Sequence, residues 1–312
     1  MRVGGQAEWL LEPANPQELR EAWCAARERE LPVRLLGGGA NLVIDDGLHR
    51  GVTIATERMR RVFRPLSEDD TSPLENGEGR EPVGRTAFDR ETDPRLVAWC
   101  GASLPGMARI SAALGWSGLE GLAGVPGSVG GGLAMNAGGR WGETWDRVTE
   151  VMLLTEQGEL VLRPRAECSP SYRDGKLGSD VAVGCVFALE VDQRKVVQER
   201  VRDFVRDKNA VQPVRLRSAG CIFKNPDPEL SDGRTAGQLV DQCGGKGLSR
   251  GDAIVSDLHG NFIINRGEAR AADVLGLIED VRALVEDRAG VSLEIEVRRW
   301  RSEPEPALEP GA

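Results

Sequence analysis

Five consecutive residues, Gly-Gly-Gly-Ala-Asn at positions 37–41, form the first group in the chain that could do chemistry. They directly follow Val33–Leu36, an apolar run typical of a short strand. Successive glycines let backbone N–H groups approach an anion without obstruction by Cβ atoms, as phosphate-binding loops require. The spacing fits neither the G-x-G-x-x-G fingerprint nor the lysine-bearing nucleotide loop. The residues alone therefore leave open both a tight structural turn and a phosphate site.

A second glycine-dense segment covers residues 118–132. Glycine recurs there at every third position, at Gly118, Gly121, Gly124, Gly127 and Gly130. Collagen is excluded because the run is short and because leucine and valine occupy the intervening positions. One interpretation is a glycine-rich loop within packed layers. The other, which the glycine density favours, is a bare backbone surface against a flat, phosphate-bearing cofactor, with Asn136 supplying an amide.

The third segment is SAGCIFKNP, residues 218–226. Small residues flank Cys221, so its thiol could face a cavity, with a cation from Lys224 and an amide from Asn225 close by in sequence. A lone cysteine is more often an inert buried side chain. The segment alone leaves both interpretations open.

Two further residues could contribute charge to a site. Arg173 lies in SYRD, residues 171–174, where an arginine before an aspartate is usually a solvated or paired turn residue. Glu296 lies on the charged face of a strand that the alternation of apolar and charged residues predicts over 293–298. Neither residue identifies a function by itself.

The composition excludes several function classes. Among 312 residues, 40 Lys and Arg stand against 49 Asp and Glu, and a formal charge of −9 disfavours a nucleic-acid surface. No uninterrupted apolar run reaches the roughly 18 residues that span a bilayer, and the first residues lack the pattern of a secretory signal. With 6 cysteines, no C-x-x-C pair and 2 histidines, we expect reduced thiols, no metal site and a cytoplasmic location.

Local patterns predict both helices and strands. Asn15 is expected to cap a helix that begins at Pro16 and runs to about Arg29, and helical spacing of apolar residues predicts another over 271–288. Further helices are expected at 104–114 and 196–208, and strands at 51–56, 96–100, 148–162 (a hairpin) and 183–191. Residues 65–93 and 301–312 are polar and proline-rich, so we expect a flexible insertion and a disordered tail.

In their order along the chain, these segments resemble the UDP-N-acetylenolpyruvoylglucosamine reductase (UDP-N-acetylmuramate dehydrogenase) family, in its shorter type. The resemblance covers residues 2–300 apart from the insertion. It rests on five motifs: LLGGGANLVIDDGLHRGVTI, GLEGLAGVPGSVGGGLAMNAGGRWGE, SYRD, SAGCIFKNP, and a closing stretch that includes GQLVDQCGGKGL, HGNFIINRGEARAADV and SLEIEVRRW. Five ordered motifs in one chain make the resemblance specific, although no single motif does.

The resemblance implies an α+β fold, with an FAD-binding domain of the vanillyl-alcohol-oxidase (PCMH) type in two subdomains, plus a smaller α+β substrate-binding domain. The FAD-binding domain would cover 1–195, with subdomains at about 1–60 and 95–195. The substrate-binding domain would cover 196–290, and a strand at 291–300 would return to the first subdomain.

Site residues follow from the resemblance by matching position. The pyrophosphate of FAD would be held by Gly37, Gly38, Gly39, Ala40 and Asn41. The flavin would be lined by Pro126, Gly127, Ser128, Gly130, Gly131 and Asn136. The UDP-sugar end of the substrate would be met by Lys224, Asn225 and Lys246.

The implied reaction is a ping-pong reduction in cytoplasmic peptidoglycan precursor synthesis. NADPH would deliver hydride to FAD and leave, and the enolpyruvyl ether of UDP-N-acetylglucosamine would then receive hydride at C3. Negative charge developing on the substrate needs a positioned cation or donor. Arg173 matches the family's enolate-stabilising arginine, Glu296 matches its glutamate, and Cys221 matches its proton donor.

Position 221 departs from the commonest family pattern, which has serine there. A free thiol has a pKa of about 8.5 and gives up its proton more readily than an alkyl hydroxyl, so we expect Cys221 to be the general acid. Ala40 also replaces a usual serine, and Arg140-Trp141 replaces a usual Tyr-Gly.

Two alternative functions are considered. A sugar or alcohol oxidase of the same fold would pass electrons to oxygen, but the SAGCIFKNP and LEIEV segments speak against it. A non-catalytic UDP-sugar-binding protein is disfavoured because Arg173, Cys221 and Glu296 are present. The expected partner is therefore a small-molecule substrate, with no nucleic acid and no membrane.

Overall fold

The computed structural model describes residues 1–64 and 93–302. Its helices are α1 (Pro16–Glu28), α2 (Leu104–Leu114), α3 (Val129–Met135), α4 (Arg194–Val211), α5 (Pro228–Ser231), α6 (Ala236–Gln242) and α7 (Ala271–Ala289). Its strands are β1 (Gln6–Leu11), β2 (Val33–Leu36), β3 (Leu42–Ile44), β4 (Leu48–Ala55), β5 (Val62–Phe63), β6 (Arg95–Trp99), β7 (Trp116–Ser117), β8 (Gly138–Gly139), β9 (Gly142–Glu143), β10 (Val148–Leu154), β11 (Leu160–Pro164), β12 (Val181–Ala188), β13 (Glu190–Val191), β14 (Ser218–Cys221), β15 (Ser249–Arg250), β16 (Ala253–Val255), β17 (Phe262–Asn265) and β18 (Arg298–Trp300). The predicted insertion at 65–93 and tail at 301–312 lie outside the described residues, except for residues 93, 301 and 302.

The chain divides into two compact units. The C-terminal unit comprises Met1–Trp9, Gly39–Gly51 and Lys208–Ala312. The central unit comprises Leu10–Gly38 and Val52–Asp207. Each unit is therefore assembled from separate stretches of sequence. The functional domain boundaries inferred from the sequence remain a prediction.

The central unit is built on a five-stranded antiparallel sheet in the order β11-β10-β12-β6-β5. Side chains on successive positions of a strand point to opposite faces. In β6, Leu96 and Ala98 enter one apolar cluster while Val97 and Trp99 enter another. Both faces of the sheet are therefore buried, which explains why its strands read as continuous apolar runs.

Helix α1 covers one of these faces and begins where the sequence predicts. Asn15 Oδ1 accepts a hydrogen bond from Glu18 N at 2.9 Å, and Pro16 occupies the first turn, where its missing N–H costs nothing. Leu19 and Trp23 are buried on the same side of the helix. The predicted helix at 104–114 and the predicted hairpin, with Gly158 at φ 83° in its turn, are also confirmed.

Helix α3 is not expected from the sequence, because three of its seven residues are consecutive glycines. Close packing explains them. A Cβ on Gly130 would lie 2.8 Å from Cys100 Cβ, and a Cβ on Gly132 would lie 2.9 Å from Thr144 Oγ1. The glycine-dense segment therefore contains a short helix as well as a loop.

The C-terminal unit has a four-stranded antiparallel sheet in the order β14-β17-β16-β15. Helix α7 extends over the predicted range, and its buried face carries the predicted apolar side chains Val274, Leu277, Ile278, Val281 and Val285. These pack with the sheet in one apolar cluster.

The strand expected at 291–300 is shorter than predicted. Only β18 is regular, and it pairs in parallel with β3, Arg298 opposite Leu42. Before it, residues 291–297 form a single bridge, between Ile295 and Phe223. The bridge is made by two main-chain hydrogen bonds, from Lys224 N to Glu294 O and from Glu296 N to Ile222 O, and the pairing does not extend into a regular ladder.

Asp46 caps α7 from a distant part of the sequence. Its two carboxylate oxygens accept from Ala271 N and Ala272 N, each at 3.1 Å. A negative charge at this position also complements the helix dipole.

We predict that Asp46→Ala lowers the free energy of unfolding by about 1 kcal/mol, because two helix-terminal amides lose their acceptor. Urea denaturation followed by circular dichroism measures the change. Asp280→Ala on the same helix is the matched control, because Asp280 makes only a 3.9 Å ion pair with Arg250, and we expect a change within about 0.5 kcal/mol. Equal stability of the Asp46 variant and the wild type would contradict the capping role.

Candidate functional site

In the central unit, the two glycine segments found in the sequence lie against each other. A Cβ on Gly38 would lie 3.0 Å from Gly127 Cα, and a Cβ on Gly37 would lie 2.7 Å from Ser128 Oγ. Ser128 Oγ also accepts a hydrogen bond from Gly38 N at 3.3 Å. The contact is therefore one of backbone against backbone, and any larger residue at position 38 would push the two segments apart.

The second glycine segment is held by main-chain hydrogen bonds to the core behind it. Val129 N donates to Ala102 O, and Gly130 N donates to Cys100 O, both at 2.8 Å. Pro126 and Gly131 are exposed. A rigid surface poor in side chains suits a flat ligand that carries phosphate, so the residues of this unit fit the predicted flavin nucleotide.

Asn136 ends α3 in the left-handed conformation, with φ 40°. Its side chain is 3% exposed. Its Nδ2 donates to Glu143 Oε2 at 2.6 Å and to Ser171 O at 3.2 Å, and its Oδ1 accepts from Trp145 N at 3.3 Å. The amide therefore makes three bonds within the protein. Its predicted contact with the cofactor stays a prediction.

Arg173 lies in a tight turn of the same unit. Ser171 and Asp174 exchange two main-chain hydrogen bonds, of 2.8 and 3.1 Å, across the turn. Arg173 has φ 60°, which is uncommon for a residue other than glycine. Its guanidinium lies 4.8 Å from the centre of the Tyr172 ring. The half-buried arginine is thus presented by a strained turn, as functional residues often are.

The C-terminal unit brings together the remaining predicted catalytic residues. Asn41 Nδ2 donates to Glu296 O at 3.3 Å, and Asn41 O accepts from Arg298 N at 3.1 Å. Gly220, at φ 78°, lies close enough to Ala40 that an added Cβ would be 3.6 Å from Ala40 O. The end of the first glycine segment therefore lies beside both Glu296 and the segment that bears Cys221.

Cys221 ends β14 next to a buried amide. Asn261 Oδ1 accepts from Ile222 N at 3.2 Å and from Phe223 N at 2.8 Å, and Asn261 Nδ2 donates to Phe223 O at 2.8 Å. Ile222 O in turn accepts from Glu296 N at 2.7 Å. Because Asn261 fixes the residues that follow Cys221, the cysteine and Glu296 are held on adjacent segments.

Two of the three buried thiols, those of Cys100 and Cys185, differ from Cys221, which is half-buried. Burial raises the pKa of the Cys100 thiol to about 12 and raises that of Cys185 well above its ordinary value. Those two cysteines stay protonated and inert in the core. Cys221 is therefore the better candidate for proton transfer.

The predicted substrate residues also lie in the C-terminal unit. Lys224 pairs with Glu294, and Lys246 Nζ lies 2.6 Å from Asp241 Oδ2. Asn225 Oδ1 accepts from Ala236 N at 3.2 Å, next to the start of α6. Each lysine thus has a carboxylate that holds it in place.

His259 is a neighbour of this group that the sequence reasoning did not select. Its Nδ1 accepts from Asn261 N at 3.2 Å. Burial first, and the charge of Lys246 second, lower the pKa of His259. A neutral ring is therefore favoured at neutral pH. Only the HGNF sequence around it could have drawn attention to the residue.

Among the described residues, no group of three His, Cys, Asp or Glu side chains is placed to hold a metal ion. No helix within 1–64 or 93–302 has both the length and the apolar character needed to cross a membrane.

Comparisons with known proteins show the family of the chain. Residues 7–162 match the FAD binding domain family, and residues 212–300 match the family described as UDP-N-acetylenolpyruvoylglucosamine reductase, C-terminal domain. Together with the mixed helices and strands, these matches confirm the predicted α+β class.

Relatives match along almost the whole chain. The UDP-N-acetylenolpyruvoylglucosamine reductase of Rhodospirillum rubrum is 39% identical over 96% of this chain and 85% of its own length. The enzyme of the same name from Syntrophus aciditrophicus is 35% identical over 95% and 87%. The crystal structure of the Thermus caldophilus reductase superposes with a TM-score of 0.71 at 32% identity, covering 96% of this chain and 94% of that one. The chain therefore belongs to the UDP-N-acetylenolpyruvoylglucosamine reductase family of FAD-dependent oxidoreductases.

Proposed function

We propose that the chain reduces UDP-N-acetyl-3-O-(1-carboxyvinyl)-glucosamine to UDP-N-acetylmuramate in peptidoglycan precursor synthesis, with Arg173, Cys221 and Glu296 as its catalytic residues. The supporting observation for the reaction is family membership over nearly the full length. The supporting observation for the residues is local: Glu296 N bonds to Ile222 O directly after Cys221.

FAD, when bound, carries hydride from NADPH to the enolpyruvyl group. In the central unit, the backbone of Gly37, Gly38 and residues 126–131 would hold it, because these segments already form a bare surface. Gly39, Ala40 and Asn41 continue the same loop into the C-terminal unit. The main-chain N–H groups of such loops are suited to a pyrophosphate.

Arg173 would stabilise the negative charge that develops on the substrate. Hydride addition at C3 places electrons on C2 and on the adjacent carboxylate. A guanidinium presented by a fixed turn meets that charge without reorganising, which is the main source of electrostatic catalysis. The strained φ of Arg173 supports this role, since strain persists where the surrounding structure maintains it.

Cys221 would then supply the proton to C2. Hydride at C3 and a proton at C2 together saturate the double bond, and the resulting thiolate must recover its proton from solvent. Glu296 matches the family's catalytic glutamate and would act in the same step. Both residues are half-buried, which limits competing reactions with water.

Lys224, Asn225 and Lys246 would bind the UDP portion. The lysines now pair with Glu294 and Asp241, and a diphosphate would compete with these carboxylates for them. We also propose a cytoplasmic location and a small-molecule partner, on the basis of the reduced thiols and the acidic charge balance.

The glycine contact gives the first prediction about the proposed function. Gly38→Ala is expected to weaken FAD binding by about tenfold or more, because the added Cβ meets the Gly127 backbone and overpacking costs roughly 1–3 kcal/mol. FAD titration of the apoprotein measures the dissociation constant. Gly139→Ala is the control, because nothing lies within 4 Å of the added Cβ. Equal FAD affinity of the two variants would contradict the role of the contact.

The second prediction concerns the proton donor. Cys221→Ala is expected to leave flavin reduction by NADPH unchanged but to slow reoxidation by the enolpyruvyl substrate about 10²–10⁴-fold, the usual contribution of a general acid. Anaerobic stopped-flow absorbance separates the two half-reactions. Cys221→Ser should recover part of the rate, since a hydroxyl can donate the proton. Near-wild-type reoxidation in the alanine variant would eliminate Cys221 as the acid.

The third prediction concerns the lysines. Lys246→Gln is expected to raise the KM for the enolpyruvyl substrate by roughly 10-fold with little change in kcat, because a charged hydrogen bond to phosphate is lost in ground and transition states alike. Lys195→Gln, at an exposed position of α4, is the control. An unchanged KM in the Lys246 variant would remove this residue from the substrate site.

A further inference from the structure

The side chain of Asn136 does more than end helix α3. A left-handed C-cap explains its backbone conformation, but it does not explain where its amide points. The two donor bonds go to Glu143 Oε2 and Ser171 O, and the acceptor bond comes from Trp145 N. Because both Nδ2 partners are acceptors and the Oδ1 partner is a donor, the orientation of the amide is fixed.

Ser171 O belongs to the turn that carries Arg173. The turn is joined to the end of α3 at a second point, where Gly175 N donates to Ala134 O at 2.9 Å. Gly175 approaches the helix so closely that a Cβ would lie 1.9 Å from Leu133 O. The Arg173 turn is thus held at both ends against helix α3, which begins within the second glycine segment.

Glu143 supplies the charge in this network. Its Oε2 lies 2.6 Å from Asn136 Nδ2, as expected for a hydrogen bond to a carboxylate. The side chain also accepts from Asp146 N in the capping box of the 3₁₀ turn Thr144–Arg147. Without this carboxylate, the Asn136 amide would lose its shorter hydrogen bond and would be held less firmly against Ser171.

We infer that Glu143 is a positioning residue for Arg173, and that it acts through Asn136 and the Ser171 carbonyl. This inference rests on the proposed role of Arg173. Glu143 orients the amide, the amide fixes the first residue of the turn, and the turn presents the guanidinium. This positioning by Glu143 affects only the step in which the enolpyruvyl substrate accepts hydride, because that step alone requires the charge of Arg173.

The test compares the two half-reactions in FAD-loaded protein. Glu143→Ala is expected to slow reoxidation by the enolpyruvyl substrate on the order of 10-fold or more, the usual effect of a misplaced catalytic group. Flavin reduction by NADPH should stay within about twofold of wild type, since it does not require Arg173. Glu143→Gln, which keeps an acceptor oxygen, should show a smaller loss and provides the measurement if the alanine variant does not fold.

Asp146→Ala is the matched control. Asp146 Oδ2 accepts from Glu143 N in the same capping box but has no bond to Asn136 in the described structure. This variant therefore loses a comparable cap while keeping the amide in place, and both of its half-reactions should run at wild-type rates. If Asp146→Ala slows reoxidation as much as Glu143→Ala does, the effect is general destabilisation and the inference is overturned.

A double-mutant cycle with Arg173→Ala distinguishes this inference from the proposed function. If Glu143 acts only through Arg173, Glu143→Ala should cause no further slowing in the Arg173→Ala background. Full additivity, or equal slowing of both half-reactions by Glu143→Ala, would overturn the inference alone. Wild-type reoxidation in Arg173→Ala itself would instead overturn the proposed role of Arg173.

Discussion

The approach of two main chains in the central unit is the constraint on which the site depends. Gly38 lies so close to Gly127 that an added Cβ would be 3.0 Å from Gly127 Cα. Ser128 Oγ joins the two segments by accepting a hydrogen bond from Gly38 N. This contact brings the loop after β2 and the start of helix α3 together into one surface that is poor in side chains. Helix α3 extends from that surface, and its far end holds the Arg173 turn through Asn136 and Ala134. The proposed cofactor surface and the proposed catalytic arginine therefore share one support.

A second arrangement organises the C-terminal unit around a buried amide. Asn261 makes three hydrogen bonds to the main chain of Ile222 and Phe223. A buried polar side chain is stable only when it is satisfied in this way. Since Ile222 also accepts from Glu296 N, the amide fixes Cys221 relative to Glu296. Both units thus use a buried asparagine that makes three hydrogen bonds to position a segment that carries a proposed catalytic residue.

The sequence predicted those helices and strands that are determined by residues close together in the chain. Asn15 and Pro16 predict the start of α1, and the spacing of apolar residues in α7 predicts its buried face. The proposed site residues come from the family motifs and not from local patterns. What the sequence could not reveal depends on distant partners. The glycines of α3 are required because Cys100 and Thr144 lie against the helix, and residues 294–296 pair with residues 222–224, which are some 70 positions earlier in the chain. The bond from Asn136 to Ser171 spans 35 residues, and no pattern in either segment predicts it.

The division of each unit into separate stretches has a consequence for biosynthesis. Strand β3 and its partner β18 lie at opposite ends of the chain, and the Asp45–Arg299 ion pair beside them joins residues 254 positions apart. At a translation rate of roughly 5–20 residues per second, β3 waits on the order of tens of seconds for its partner to be synthesised. During that interval, the Gly39–Gly51 stretch is without most of the residues of its own unit. The C-terminal unit is therefore completed only after β18 has been synthesised.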